Sequence, residues 1–157
     1  MTTLTNTILI SAPVDKIWQA LAALEDLDKY DPNVKKSIQT SSLSSGLGAS
    51  RKVHMKDGKN WFAEKITDWQ PNTGLSFELT DCSFPINSLK YRYDLEPVHT
   101  QTKITQIMEY EVKFGLLGKM MDTLMIRKQF SAGVKIFLNG LKIGVEQQNK
   151  VLTGQIN

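Results

Sequence analysis

The chain changes its hydrophobic period at Gly115, and that change limits what it can fold into. From Lys35 to Phe114, apolar residues recur mainly at every second position, the mark of strands with one buried face. Beyond Gly115 they recur at three and four. Leu117, Met120, Leu124, Phe130, Val134, Phe137, Leu141 and Val145 fall close to one stripe, with Lys and Gln elsewhere. A many-stranded sheet is therefore left with one long helix to cover it.

Upstream, Leu4, Ile8 and Ile10 alternate with Thr3, Thr5 and Thr7 as a first strand. Pro13 suits the first turn of a helix, and Asp15 complements the positive end of its dipole. Val14, Ile17, Trp18, Leu21 and Leu24 give that helix a buried face; Leu27 and Tyr30 continue briefly until Pro32 disfavours helix at Asp31. Lys35–Leu43 is expected to be a strand closed by the SSLSSGLG loop. Arg51–Lys56 and Lys59–Gln70 pair across Asp57-Gly58, a short-hairpin signal. Leu75, Phe77 and Leu79, then Leu89, Tyr91, Tyr93 and Leu95, then Ile104, Met108, Tyr110, Val112 and Phe114 supply three more strands with one apolar face each. The expected order is one strand, two short helices, about six strands and one long helix, as a single domain over residues 1–157.

Composition excludes several classes. Hydrophobic residues are 41% and charged residues 22%, with a net charge of +3, which suits a globular protein. Lys35-Lys36 and Arg51-Lys52 are too sparse for a nucleic-acid footprint. No apolar run approaches the roughly 20 residues of a spanning helix, so no stable membrane insertion is expected. The N-terminus lacks a secretory pattern, and a lone Cys82 permits no internal disulfide, so a cytoplasmic setting is expected. His54 shares strand parity with Lys52 and Lys56 and should face solvent, while His99 lies in a turn. These give no metal set, no partner to activate Cys82, and no cofactor. SSGLG lacks a phosphate-loop pattern and reads as a plain loop.

Geometry then argues for a hollow. Seven strands at about 4.8 Å spacing make a sheet about 30 Å wide, whereas one helix is about 10–12 Å across. The uncovered apolar face must be filled by large side chains, another chain or a ligand. Phe62, Phe77, Tyr91, Tyr93, Tyr110, Phe114, Phe130 and Phe137 are available either to fill that room or to line it.

The succession of a strand, SAPVDKIWQALAALEDLDKYDPNVKKS, GLGASRKV, EKITDWQPNTGLSFEL and a glycine-bearing C-terminal helix resembles the START-like (SRPBCC) superfamily. More narrowly, it is similar to the polyketide cyclase/dehydrase and lipid-transport group. The resemblance implies an α+β helix-grip fold (START/Bet v 1-like): a curved seven-stranded antiparallel sheet around a long C-terminal helix, with two short helices after the first strand. It also implies that Arg51, in the GxxxR-like stretch Gly48-Ala49-Ser50-Arg51, and Ile66 of ITDW point inward. Glu64 and Phe62 share the parity of Ile66, and Val53 and Met55 share that of Arg51.

Arg51 and Glu64 inside an apolar cup can pair with each other or hold the polar end of a ligand; alternatively, both lie at the sheet rim in water. Tyr91, Tyr93 and Tyr110 can steer an oxygenated ring system or act as weak acids, or be ordinary core tyrosines. Gly133, Gly140 and Gly144 either make room for a ligand or let the helix pack closely. The Met-rich GKMMDTLMIRK is amphipathic, as core, as a lip of the cavity mouth, or as a weak membrane contact through Lys119, Arg127 and Lys128.

The first function expected is binding of a hydrophobic small molecule (a lipid, isoprenoid or polyketide-like compound) by a carrier or sensor. Arg51, Phe62, Glu64, Phe77, Tyr91, Tyr93, Tyr110 and Phe137 are the ligand-facing candidates, with MKDGKN and DCSFPIN as rim loops. The second, implied by the resemblance, is a cyclase/dehydratase-type enzyme with Glu64 as base, Arg51 stabilising an enolate, and Tyr91 assisting. A protein-interaction module ranks last, because outward strand positions are mostly Lys, Glu, Thr and Ser apart from Trp61 and Ile107. The sequence leaves the oligomeric state open.

Overall fold

A computed structural model describes residues 1–154, with the backbone alone at Thr123. Strand β1 (Thr2–Ile10) leads into α1 (Val14–Ala22), a 3-10 turn (Leu24–Asp26) and α2 (Leu27–Tyr30). Pro13 caps α1 in extended conformation with Asp15 in the first turn, as its fixed φ favours. Asp31 leaves α2 extended ahead of Pro32, and its carboxylate accepts a hydrogen bond from the Asn33 amide at 2.9 Å.

The strands that follow are β2 (Val34–Gln39), β3 (Ser50–Met55), β4 (Trp61–Gln70), β5 (Gly74–Cys82), β6 (Ile86–Val98) and β7 (Gln101–Val112). All pair antiparallel in one seven-stranded sheet of order β1-β7-β6-β5-β4-β3-β2. The fold is therefore the expected α+β helix-grip. Helix α3 (Gly115–Met121), a π-helical turn (Asp122–Ile126) and α4 (Arg127–Leu152) complete it. The main core lies between α1, α4 and the sheet and includes Ile10, Ile17, Trp18, Leu21, Ile66, Leu75, Phe77, Ile104, Leu141 and Val145. A second cluster around Leu4, Ile86, Met108, Tyr110 and Ile126 lies toward the other end of the sheet.

Four expectations need correction. The strand expected over Lys35–Leu43 ends at Gln39, where Gln39 Nε2 turns back to the Ser41 carbonyl at 2.7 Å. The Asp57-Gly58 turn is wider than a two-residue loop: the Met55 amide donates to the Asn60 carbonyl at 2.9 Å, and the Asp57 carboxylate accepts from the Lys59 and Asn60 amides, so residues 56–59 form the loop. Phe114 is not an inward strand residue but sits at φ 75° as the residue before α3, exposed. The long apolar stripe is likewise broken. Leu117, Met120 and Leu124 face outward, and among the expected stripe positions burial begins only at Phe137.

The glycines of α4 sort themselves by neighbour. A Cβ on Gly140 would lie 1.8 Å from the Tyr30 carbonyl oxygen, and one on Gly144 would lie 2.8 Å from the Tyr30 ring, whereas nothing lies within 4 Å of one on Gly133. Two of the three therefore let α4 seat directly on the end of α2. Gly140→Ala should lower stability by about 1–3 kcal/mol through overpacking. Gly133→Ala should raise it by up to about 1 kcal/mol by removing a helix-interior glycine. Urea unfolding of both variants checks the contrast, and equal effects would contradict the α2–α4 contact.

Candidate functional site

Strand register brings the polar candidates together. Arg51 on β3 lies directly opposite Glu64 on β4, and Phe77 on β5 opposite Tyr91 on β6. Because side chains alternate across a strand, all four reach the concave face. Arg51 is 5% exposed and Glu64 1% exposed, so the placement at a wetted rim is excluded. Arg51 Nε and Nη2 donate to Glu64 Oε1 at 2.8 and 2.7 Å, and Nη1 donates to the Leu24 carbonyl at 3.2 Å. The Tyr91 hydroxyl reaches both Glu64 oxygens at 2.8 Å. The Phe77 ring lies under the guanidinium, 4.8 Å from Cζ to centroid, a cation–π arrangement.

Charge and burial act together on this cluster. Burial alone would pull the Arg51 guanidinium down, but Glu64 and Tyr91 beside it override that and hold it charged more firmly than a free arginine. Burial, with the Glu64 carboxylate adding to it, pushes the Tyr91 phenol well above its ordinary range, and Arg51 only partly opposes this. Tyr93 is raised as well, chiefly by burial, with Arg51 opposing and Glu64 and Asp31 adding.

From the cluster a run of rings crosses to the helix. Phe77 stacks on Tyr91 at 5.1 Å, Tyr91 meets Tyr93 edge-on at 5.6 Å, and Tyr93 meets Phe137 of α4 at 6.0 Å. The deep half of the cup is thus bridged by the protein's own aromatics rather than left as one open chamber. Toward the opposite end the inner face is less covered: Phe62, Leu79, Leu89 and Phe130 are only partly buried. Two shallow depressions, of about 230 and 240 Å³, lie on the outer face around Ser76, Arg92 and Ile107 and around His54 and Trp61. They are not the room expected inside.

The two expected rim loops meet at this less covered end. Ser83 donates to Asn60 Oδ1 at 3.1 Å and accepts from the Trp61 amide at 2.9 Å. The Lys113 amide donates to the Pro85 carbonyl at 2.9 Å, which brings the start of α3 alongside. Of the sequence candidates, the structure assembles Arg51, Glu64, Phe77, Tyr91, Tyr93 and Phe137. Phe62, half-buried, belongs to neither core cluster. Tyr110 belongs to the second cluster, where it stacks edge-on with Phe130 and donates a hydrogen bond to Asp122.

Asp122 was not singled out from sequence. It is buried, accepts from Thr2 at 2.7 Å as well as from Tyr110, and opens the π-helical turn; its one sequence signal is a lone acid inside a Met- and Leu-rich run. Burial and this carboxylate raise the Tyr110 phenol. Gln106 and Thr102, also buried on β7, were missed too. Among the described residues no group of His, Cys, Asp and Glu is arranged to hold a metal, and no helix is long and apolar enough to cross a membrane.

A curved antiparallel sheet gripping one long helix, with a polar cluster on its concave wall, defines a START-like protein. The chain belongs to the polyketide cyclase / dehydrase and lipid transport family, whose profile matches residues 1–146. Among solved structures it is similar to the Zhui aromatase/cyclase from Streptomyces sp. R1128, at 14% identity and TM-score 0.81, covering 94% of each chain. A START superfamily protein from Mycobacterium smegmatis matches at 16% identity and TM-score 0.69, covering 96% of this chain and 98% of that one. The di-domain ARO/CYC BexL matches at 15% identity and TM-score 0.76, covering 93% of this chain and 47% of that one. No curated protein sequence matches.

Removing one partner of a buried ion pair strands the other charge. Arg51→Met should therefore cost about 3–5 kcal/mol, and Arg51→Met combined with Glu64→Met should recover most of that loss; a double-mutant cycle in urea measures it. Alkaline titration supplies a second check. Unfolded phenols ionise near pH 10, and Tyr91, Tyr93 and Tyr110 ionise above their ordinary value when folded. A raised folded pKa contributes stability that is present below the unfolded value and lost as pH climbs through the folded one. Unfolding free energy should then fall above about pH 10, with phenolate absorbance from these tyrosines appearing as the protein unfolds.

Proposed function

We propose that the protein binds a hydrophobic small molecule, such as a lipid, isoprenoid or polyketide-like compound, between the sheet and α4, as a carrier or sensor. One observation carries this reading. The concave wall sets a dry, fully paired Arg51–Glu64–Tyr91 cluster beside inner-face apolar residues, Phe62, Leu79, Leu89 and Phe130, that the chain itself only partly covers. Replacing such a buried ion pair by well-packed apolar residues is often neutral or stabilising. Fold stability alone therefore gives little reason to retain it. A ligand with an apolar body and a polar end matches both parts of the wall, burying its body toward the rim and setting its polar end at Tyr91. Affinity would come from apolar burial at about 25 cal/mol per Å² before the costs of ordering.

A second reading, a cyclase/dehydratase-type enzyme, draws on one feature: a phenol placed 2.8 Å from both oxygens of a shielded carboxylate, a donor–acceptor pair suited to proton transfer. Arg51 would then stabilise a developing enolate. The carrier reading is placed first because both Glu64 oxygens are already committed, to Arg51 and to Tyr91.

Native mass spectrometry of the purified protein should show a noncovalently bound apolar compound that solvent extraction removes. Failure to take up any member of a panel of lipids and polyphenols would sink both readings. Tyr91→Phe should weaken binding of a hydroxyl-bearing ligand about five-fold, the worth of one hydrogen bond near 1 kcal/mol, with little effect on a purely apolar one. Under the enzyme reading, Glu64→Gln keeps binding and loses turnover.

A further inference from the structure

The segment from α3 through the π-helical turn is amphipathic in the inverted sense. Among the described residues, Gly118, Asp122 and Ile126, spaced by four, are the buried positions. Gly118 presses on the Lys113 backbone, where a Cβ would lie 1.9 Å from its carbonyl oxygen. Asp122 is held by Tyr110 and Thr2. The opposite face carries Leu116, Leu117, Met120, Met121, Leu124 and Met125, again at four-residue spacing, and Phe114 precedes it. These seven side chains are between 41% and 85% exposed. An ordinary surface helix turns such a stripe toward the core. Here, among the described residues, the core side is taken by a glycine, a paired acid and one isoleucine.

Charge indicates what covers the stripe. Lys113 stands at one end and Arg127 and Lys128 at the other, all exposed, with Lys119 also exposed between them. The sole acid from 113 to 128 is Asp122, turned inward and paired. A second copy of the chain is a poor occupant. In a two-fold pairing of the stripe, antiparallel segments set Lys113 against Arg127 and Lys128, and parallel ones set each basic end against itself. An apolar band with basic residues at both ends instead matches an anionic bilayer surface, where the band enters the acyl boundary and the basic side chains meet the headgroups.

We infer that residues 114–125 dock the protein on anionic membranes, with Lys113, Arg127 and Lys128 at the headgroup level. The docked face lies beside the rim loops, since Lys113 is bonded to Pro85 and loop 83–85 to Asn60 and Trp61. An apolar cargo could then pass between bilayer and cup without crossing water. The docking itself does not depend on any cargo, so its test is separate from that of the carrier reading.

The protein is mixed with vesicles of phosphatidylcholine alone or of phosphatidylcholine with phosphatidylserine, then sedimented. Binding to the mixed vesicles is expected, about ten-fold or more above that to phosphatidylcholine alone, and should fall as salt screens the headgroups. Leu117→Glu with Met120→Glu should reduce it about ten-fold or more, whereas Ile143→Glu, on the exposed side of α4, should leave it unchanged. All three positions are exposed, so circular dichroism should report an unaltered fold. The inference is overturned by absent binding to the mixed vesicles, by binding indifferent to the paired substitution, or by equal loss in Ile143→Glu. A concentration-dependent dimer that Leu117→Glu dissolves would overturn it equally.

Discussion

Arg51 and Glu64 face each other across neighbouring strands with almost no water in reach, and the concave wall is organised around keeping them paired. Two charges taken out of water are tolerated only where geometry is good and the remaining hydrogen-bonding capacity is met. Here the requirement is met from three parts of the chain. The β3–β4 register sets the two side chains opposite each other, the 3-10 turn after α1 offers the Leu24 carbonyl to Arg51, and β6 brings the Tyr91 hydroxyl to Glu64. The short broken helices at the start of the chain thus do more than close an end. Their connecting turn supplies one wall of the polar cluster, and the Ser37 hydroxyl secures the same Leu24 carbonyl at 2.6 Å.

The two ends of the sheet are held differently. At the α1–α2 end, α4 sits against Tyr30 through Gly140 and Gly144, and Thr102 ties the Ala12 carbonyl to β7 at 2.9 Å. Backbone touches backbone there, and little can shift without a clash. At the other end Gly118 presses on the neighbouring Lys113 backbone, the long-range ties run through side chains, Asp122 to Tyr110 and Thr2, and among the described residues no element covers the stripe of Leu and Met. Few buried apolar contacts and an exposed helical face are the features of a segment that opens at low free-energy cost.

Much of the wall was legible because strand periodicity is two: once Ile66 is placed inward, Glu64 and Phe62 follow, and the same parity carries Arg51 with Val53. The pairing of Arg51 with Glu64 was only one of the placements left open, since parity sets a face and not a partner; register decided it. What the rings do also lay beyond the sequence. Whether Phe77, Tyr91, Tyr93 and Phe137 line a space or bridge it depends on how close α4 comes, and that rests on glycines whose neighbour, Tyr30, is more than a hundred residues away in the chain. The stripe of Leu117, Met120 and Leu124 misled for a related reason. Periodicity shows that a helix has an apolar face but not that the rest of the molecule covers it. Asp122 was missed because its partners come from β1 and β7, and nothing local marks an acid as buried.

The hydrogen bonding of Glu64 has a consequence for the proposed cargo. Arg51 spends two of its donors on Oε1, so the charge pair survives without Tyr91, and among the described residues the hydrogen bond to Oε2 comes from Tyr91. Displacing Arg51 would strand a buried charge, a loss of several kcal/mol that few ligand groups recover, counting about 1 kcal/mol for each new hydrogen bond. Displacing Tyr91 strands none. A ligand hydroxyl can donate to Oε2 in its place while the freed phenol turns to an acceptor on the same ligand. On the proposed reading Tyr91 is thus the exchangeable member of the cluster, and since it also links the stacked Phe77 to Tyr93, its movement would open the ring bridge toward the less covered end. On the proposed reading, the cup selects an apolar molecule whose polar end carries both a donor and an acceptor.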